Sequence, residues 1–171
     1  MSDNLQTQMI DVGGKEVTQR EAVAEGTISM RSATAEMVAQ STLPKGNALE
    51  VARVAAIMAA KRTPDIIPLC HPLLISHAAC DFNLEIGPQS TLIRVSTRVR
   101  CQGQTGVEME ALAACAAALL TIYDMTKGVD DTLEIRNIYL REKRGGKAGD
   151  WARDISQEGV ESSISPCGIV P

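Results

Sequence analysis

The chain has 171 residues, a net charge of −4 and 44% apolar residues, yet only one Trp, two Tyr and one Phe. That length predicts one domain with a real core, and an acidic balance with so few rings to stack bases excludes a general nucleic-acid binder. No apolar run approaches the roughly 20 residues that span a bilayer, MSDNLQTQM lacks the pattern of a signal peptide, and five cysteines scattered through apolar segments fit reduced thiols. The expectation is a cytoplasmic protein without nucleic-acid or membrane partners.

In chain order, residues 1–15 read as a mobile N-terminal segment, 16–151 as a single α+β domain and 152–171 as a flexible tail. Residues 16–30, EVTQREAVAEGTISM, alternate loosely and predict a long first strand. Ser32 is placed to cap a short helix through about residue 40. STLPKGN is a loop, broken by Pro44 and Gly46. Asn47 then caps a second helix, with Glu50 three residues on, running to Ala60. Thr63-Pro64 stops it, because a residue before proline is pushed out of the helical region. TPDIIPLCHP follows as a proline-punctuated loop.

Residues 73–86 and 91–101 predict a β-hairpin turning at Gly87-Pro88-Gln89-Ser90. Residues 105–128, TGVEMEALAACAAALLTIYDMTKG, predict a long helix that is apolar nearly all round. Thr105 and Glu108 form a capping box, and Gly128 suits a left-handed terminus. The bulky stripe Met109, Leu112, Ala116, Leu119, Leu120 and Tyr123 is suited to lie on a sheet. The alanine-rich face of Ala111, Ala114, Cys115, Ala118 and Ile122 is left for another subunit. Residues 131–143 give the last strand, and RGGKAGDW is loop. The order β-αα-β-β-α-β predicts an α+β fold, a ferredoxin-like α/β sandwich whose antiparallel sheet is covered by helices.

Candidate chemistry lies in loops and at helix ends. Glu108 and Glu110 mark one end of the long helix, and Asp124 and Lys127 the other. Low-dielectric surroundings there shift pKa values. Asp124 and Lys127 are helical neighbours, either a plain salt bridge or a tuned acid/base and phosphate-binding pair. Glu110 and Asp124 stand about 21 Å apart at about 1.5 Å per residue. One small substrate cannot easily touch both ends of one copy, so a site using both borrows an end from each of two chains.

Lys45 precedes a helix N-terminus, where phosphate is attracted, or is a solvated loop lysine. His71, in the Leu69-Cys70-His71 run, is either structural or a general acid/base. Cys70, His71, His77 and Cys80 match no familiar zinc spacing, and no metal site is assigned. Arg141, Lys143, Arg144 and Lys147 put four positive charges beside glycines that allow close backbone approach to an anion. Together these residues describe a phosphate-rich pocket with carboxylate and histidine chemistry.

KGNALEVARVAAIMAAKRTPDIIPLCHPL, TGVEMEALAACAAALLTIYDMTKG and GGKAGD resemble the cyclic pyranopterin monophosphate synthase family, that of molybdenum cofactor biosynthesis protein C (MoaC). The resemblance spans about residues 9–150. It implies a lyase that converts 3′,8-cyclo-7,8-dihydro-GTP, made by a radical enzyme from GTP, to cyclic pyranopterin monophosphate with release of pyrophosphate. By motif, Asp124 is the implied catalytic acid/base and Lys127 its partner. Leu69, Cys70, His71, Met109 and Glu110 are implied to line the substrate, and Lys45, Lys147 and Arg20 to contact phosphates. The resemblance further implies a homohexamer, a trimer of dimers with sites between subunits. It implies no required cofactor, with Mg2+ an optional companion of the substrate phosphates. The alternative in another class is a non-catalytic oligomeric nucleotide- or phosphate-binding protein.

Overall fold

A computed structural model describes residues 7–87, 90–147 and 149–154. Pro88 and Gln89 of the expected hairpin turn, and residues 155–171 of the expected tail, lie outside them. The elements run β1 (Thr18–Arg31), α1 (Ser32–Ala39), α2 (Ala48–Lys61), α3 (Thr63–Ile66), β2 (Ile75–Ile86), β3 (Ser90–Gly103), α4 (Glu108–Thr126), β4 (Glu134–Arg144) and β5 (Trp151–Ala152). The sheet order is β2-β3-β1-β4-β5, antiparallel at every pairing. Two strand-helix-strand units therefore interleave: β3 lies between β1 and β2, and β1 between β3 and β4. This is the α+β sandwich expected from the element order.

Strand β3 shows why the helices sit on one side. Thr91, Ile93, Val95, Thr97, Val99 and Cys101 are buried at every second position, the period that puts alternate side chains on one face. Ala22, Ala24, Ile28 and Met30 of β1 join them. The opposite face is charged: Glu21 takes Arg98 and Arg100, while Glu25 meets Arg94, Arg141 and the Tyr139 hydroxyl.

Helix α4 is oriented the other way round from the sequence expectation. Its alanine-rich face, Ala111, Ala114, Cys115, Ala118 and Ile122, is buried, whereas Met109, Leu120 and Tyr123 are exposed. Only Leu119 of the bulky stripe is fully buried. The sheet already supplies bulk through Ile28, Ile93, Val95 and Val99. In the same layer α2 presents Ala48, Ala52, Ala56 and Ala60, all buried, so small residues on both helices allow close packing. At Gly26 of β1 a Cβ would stand 2.7 Å from Leu119 Cδ1, so the helix crosses there only over glycine. Helix α4 has the length and mean hydropathy (1.3) of a membrane-spanning segment. Here it is the core helix, capped at both ends by charge.

Local endings differ from expectation in five places. Val107, not Thr105, holds the N-cap position of α4, without a side-chain bond; Arg31 does so for α1, and the Ser32 hydroxyl turns to the Gly87 carbonyl instead. Gly128 is not among the residues with positive φ, because the chain leaves α4 through turns closed on the Thr126 carbonyl. Residues 63–66 make a further helical turn, α3, since Pro64 occupies a first-turn position where its missing N–H costs nothing. Trp151 and Ala152, expected as loop, pair with Lys143 and Glu142 as β5. The Asn47 cap stands as expected, accepting from the Glu50 amide at 3.1 Å.

Candidate active site

The C-terminal end of α4 carries a three-residue ionic cluster. Asp124 Oδ1 accepts from Lys127 Nζ at 2.8 Å, and Asp124 Oδ2 from Lys45 Nζ at 2.7 Å. Lys45 also donates to the Asp124 carbonyl at 2.8 Å. It reaches there because α2, which it precedes, lies beside α4. Two cations at a helix C-terminus also complement the helix dipole. The lysines hold the Asp124 carboxyl down to about 2, Lys127 first and Lys45 second, and Asp124 in turn raises Lys127. All three side chains are about half exposed. Charge, not the low dielectric anticipated from the sequence, tunes this end.

At the opposite end of α4 a cavity of about 420 Å³ brings together Leu69, Cys70, His71, Met109 and Glu110, with Gln8, Ile10, Val12 and Lys15 of the N-terminal segment. An adjoining cavity of about 740 Å³ is lined by Arg20, Gln104, Gly146 and Lys147. Lys15, Thr105 and Gly106 border both. The five residues of the LCH and ME runs therefore meet, with Arg20 and Lys147 next door and Lys45, Asp124 and Lys127 at the far end of the helix.

Glu110 is buried, and desolvation, with Glu108 nearby, raises its pKa. Burial also raises the Cys70 thiol, with Glu110 adding to it. The Cys70 sulfur is therefore not a ready nucleophile, since the thiolate is the reactive form. Glu108 folds over Gly106, where a Cβ would lie 1.9 Å from Glu108 Oε2, and accepts from Lys143 Nζ at 3.1 Å. That contact replaces the expected capping box.

Arg20 donates only long bonds, 3.4–3.5 Å, to the carbonyls of Gly103, Gln104 and Gly145. Among the described residues no carboxylate pairs with it, which leaves its charge for an incoming anion. Gly145 and Gly146 hold φ of +86° and +81°, and a Cβ on Gly146 would collide with the Arg20 guanidinium. Here glycine is required twice over, by conformation and by space.

The four-cation stretch of the sequence is split by the sheet. Lys143 pairs with Ala22 and faces the helix side, and Lys147 lines the second cavity. Register then jumps from Val23–Glu142 to Ala24–Leu140, leaving Arg141 as the extra residue of a bulge. Arg141 turns to Glu25, and Arg144 to Glu142 beside Arg98 and Arg100 on the other face. The sequence reading did not single out Lys15 or the Glu108–Lys143 pair for the site. Nothing in spacing marks Lys15; Lys143 was visible only as one cation among four. Of the imagined zinc set, Cys80 is buried in the core while His77 is exposed on the same strand. Among the described residues no three His, Cys, Asp or Glu gather to hold a metal.

Fold and site together define an α+β domain with a basic, acid-bearing cleft at one end of its core helix and a Lys-Asp-Lys cluster at the other. The sequence matches the MoaC family over residues 9–146, and the chain belongs to that family. It is 53% identical over 149 residues, 87% of this chain and 89% of its relative, to a protein of Chloroflexus aggregans named cyclic pyranopterin monophosphate synthase. Proteins of the same name from Chloroflexus aurantiacus (strain J-10-fl) and Clostridium botulinum (strain Alaska E43) are 56% and 50% identical over 146 residues. Those alignments cover 85% of this chain and 88% and 91% of the relatives, respectively.

Proposed function

We propose that this chain is a cyclic pyranopterin monophosphate synthase, a lyase acting in molybdenum cofactor biosynthesis. It converts 3′,8-cyclo-7,8-dihydro-GTP to cyclic pyranopterin monophosphate and releases pyrophosphate. The observation that carries this reading is membership of the MoaC family together with a fold that gathers Leu69, Cys70, His71, Met109 and Glu110 around one cavity. Glu110 and Asp124, at the two ends of one helix, then share the proton transfers. Asp124 accepts a proton, Glu110 donates one, and His71 orients the ring system. Lys127 and Lys45 stabilise charge as pyrophosphate departs, while Arg20, Lys143 and Lys147 hold the triphosphate. A divalent ion such as Mg2+ travels with those phosphates.

Glu110 and Asp124 are about 21 Å apart along α4, so a working site joins the cavity of one subunit to the Lys-Asp-Lys cluster of another. The outer surface of the helix layer supports assembly: Val51, Val54, Met58, Leu120 and Tyr123 are all exposed there. The assembly is a homohexamer, a trimer of dimers, in the cytoplasm, supplied by a radical enzyme that cyclises GTP. The test is pyrophosphate release from the cyclised GTP by the native chain and by Lys127→Ala. Release by the native chain, lost in the variant, supports the reading. No release from folded native oligomer overturns it in favour of a nucleotide-binding protein.

A further inference from the structure

The N-terminal segment crosses the mouth of the cavity without belonging to the sheet or helices. Gln8, Ile10 and Val12 line the cavity, yet Met9 and Ile10 are 49% and 71% exposed. Few apolar contacts hold this segment, and elements of that kind are the first to open. Its tertiary attachments are polar. The Ile10 carbonyl can only accept, so His71 Nε2–H must donate to it, at 2.8 Å. The Gln104 carboxamide has two hydrogens and uses both, donating to the Gly13 carbonyl at 3.0 Å and to the Lys15 carbonyl at 2.9 Å. A local turn between these points is closed by the Lys15 amide on the Val12 carbonyl and the Gly13 amide on Asp11 Oδ1.

Gln104 thus grips the segment on either side of Gly14 and fixes Lys15 on the border shared by the two cavities. We infer that Gln104 is a positioning residue, acting through the strap of residues 8–15 to hold Lys15 against the substrate's phosphates. The inference rests on the functional reading above. A free Lys15 on an open strap would have to be ordered at each binding event, and that ordering weakens affinity without altering the chemical step.

Gln104→Met keeps the volume of the side chain and removes both donors. It is expected to raise KM for the cyclised GTP at least about fivefold while kcat stays within about twofold, the signature of lost uniform binding. Lys15→Ala is expected to raise KM similarly, and the double variant to be no worse than Lys15→Ala alone, because residues acting as one unit are not additive. Hydrogen exchange of the Gly13 and Lys15 amides should accelerate at least about tenfold in Gln104→Met, with β1 and β3 unchanged. Additive KM effects, or unchanged exchange at those amides, would overturn the positioning role. If the native chain released no pyrophosphate while exchange still responded to Gln104→Met, the strap clamp would stand and the functional reading would fall.

Discussion

Asp124 gives one carboxylate oxygen to each of two lysines, Oδ1 to Lys127 at 2.8 Å and Oδ2 to Lys45 at 2.7 Å, the second from 79 residues away in the chain. The two lysines favour the ionised form of Asp124, and its carboxyl falls from the ordinary 3.8 to about 2. Asp124→Asn preserves the shape and removes the negative charge between the lysines. Its expected effect is a fall in kcat of roughly 10²- to 10⁴-fold, with an unchanged circular dichroism spectrum. In the native enzyme the pH profile of kcat/KM should show no inflection from Asp124 between pH 4 and 7. An inflection in that range that vanished in Asp124→Asn would contradict the assignment.

Glu110 presents the opposite case. Its pKa is raised above the ordinary 4.5 by burial, with Glu108 adding to it. The folded state therefore binds its proton more tightly than the unfolded chain. The stability this brings is fully present below about pH 4.5 and is lost as pH rises through the raised folded value. Glu110→Gln removes that dependence, so its melting temperature should gain on the native protein as pH goes from 5 to 8. Turnover should fall roughly 10²-fold if Glu110 is the acid. A variant that lost stability at pH 8 would show that the carboxylate is tolerated as a charge.

The helices and strands were legible because periodicity and breakers agree along most of the chain, and the Asn47 cap was readable from its spacing to Glu50. The inside of α4 was not. A helix apolar on both faces offers no moment to orient it, and only the bulk already present at Ile93, Val95 and Val99 decides that alanines turn inward. The meeting of Leu69, Cys70 and His71 with Met109 and Glu110 was readable only through the family motifs. The Lys45–Asp124 contact has no local signal, since it depends on α2 lying beside α4. Nor did the sequence announce that a bulge at Arg141 would divide four neighbouring cations between two faces.

That division predicts unequal effects for near neighbours. Lys143 reaches Glu108 at the cavity, whereas Arg144 pairs with Glu142 at 3.6 Å on the charged sheet face. Lys143→Ala should raise KM for the cyclised GTP about tenfold or more, the effect of losing about 1.5–3 kcal/mol from one charged hydrogen bond. Arg144→Ala should change KM less than about fivefold, since such exposed pairs contribute about 0–1 kcal/mol. Steady-state kinetics on the two variants, run side by side, decides the point; equal effects would mean that the bulge does not sort these cations.

Asp130 anchors the end of the functional helix to the sheet. Its side chain is fully buried. Oδ1 accepts from the Thr132 amide at 2.9 Å and the Thr132 hydroxyl at 2.7 Å, and Oδ2 from the Arg31 amide at 2.9 Å. The Arg31 guanidinium stands 3.3 Å from Oδ1. Burial alone would push the carboxyl up, but these donors overcome it and bring the group down to about 2 from 3.8. A folded pKa below the unfolded one means stability that is present above about pH 4 and is lost as pH falls towards 2. Asp130→Ala should therefore destabilise the fold by about 2–3 kcal/mol at neutral pH, as charged hydrogen bonds to buried donors are lost. The loss should shrink as the buffer approaches pH 2, where the native carboxyl is itself protonating. Urea melts of native and variant at pH 7 and pH 3 measure both numbers. A difference that stayed constant between the two would mean that the charge on Asp130 contributes nothing and only its shape matters. Because Asp130 follows Asp124 and Lys127 at the exit of α4, the same variant should also reduce turnover by loosening the lysine cluster, and restoring the carboxylate as Asp130→Glu should recover less than half of it.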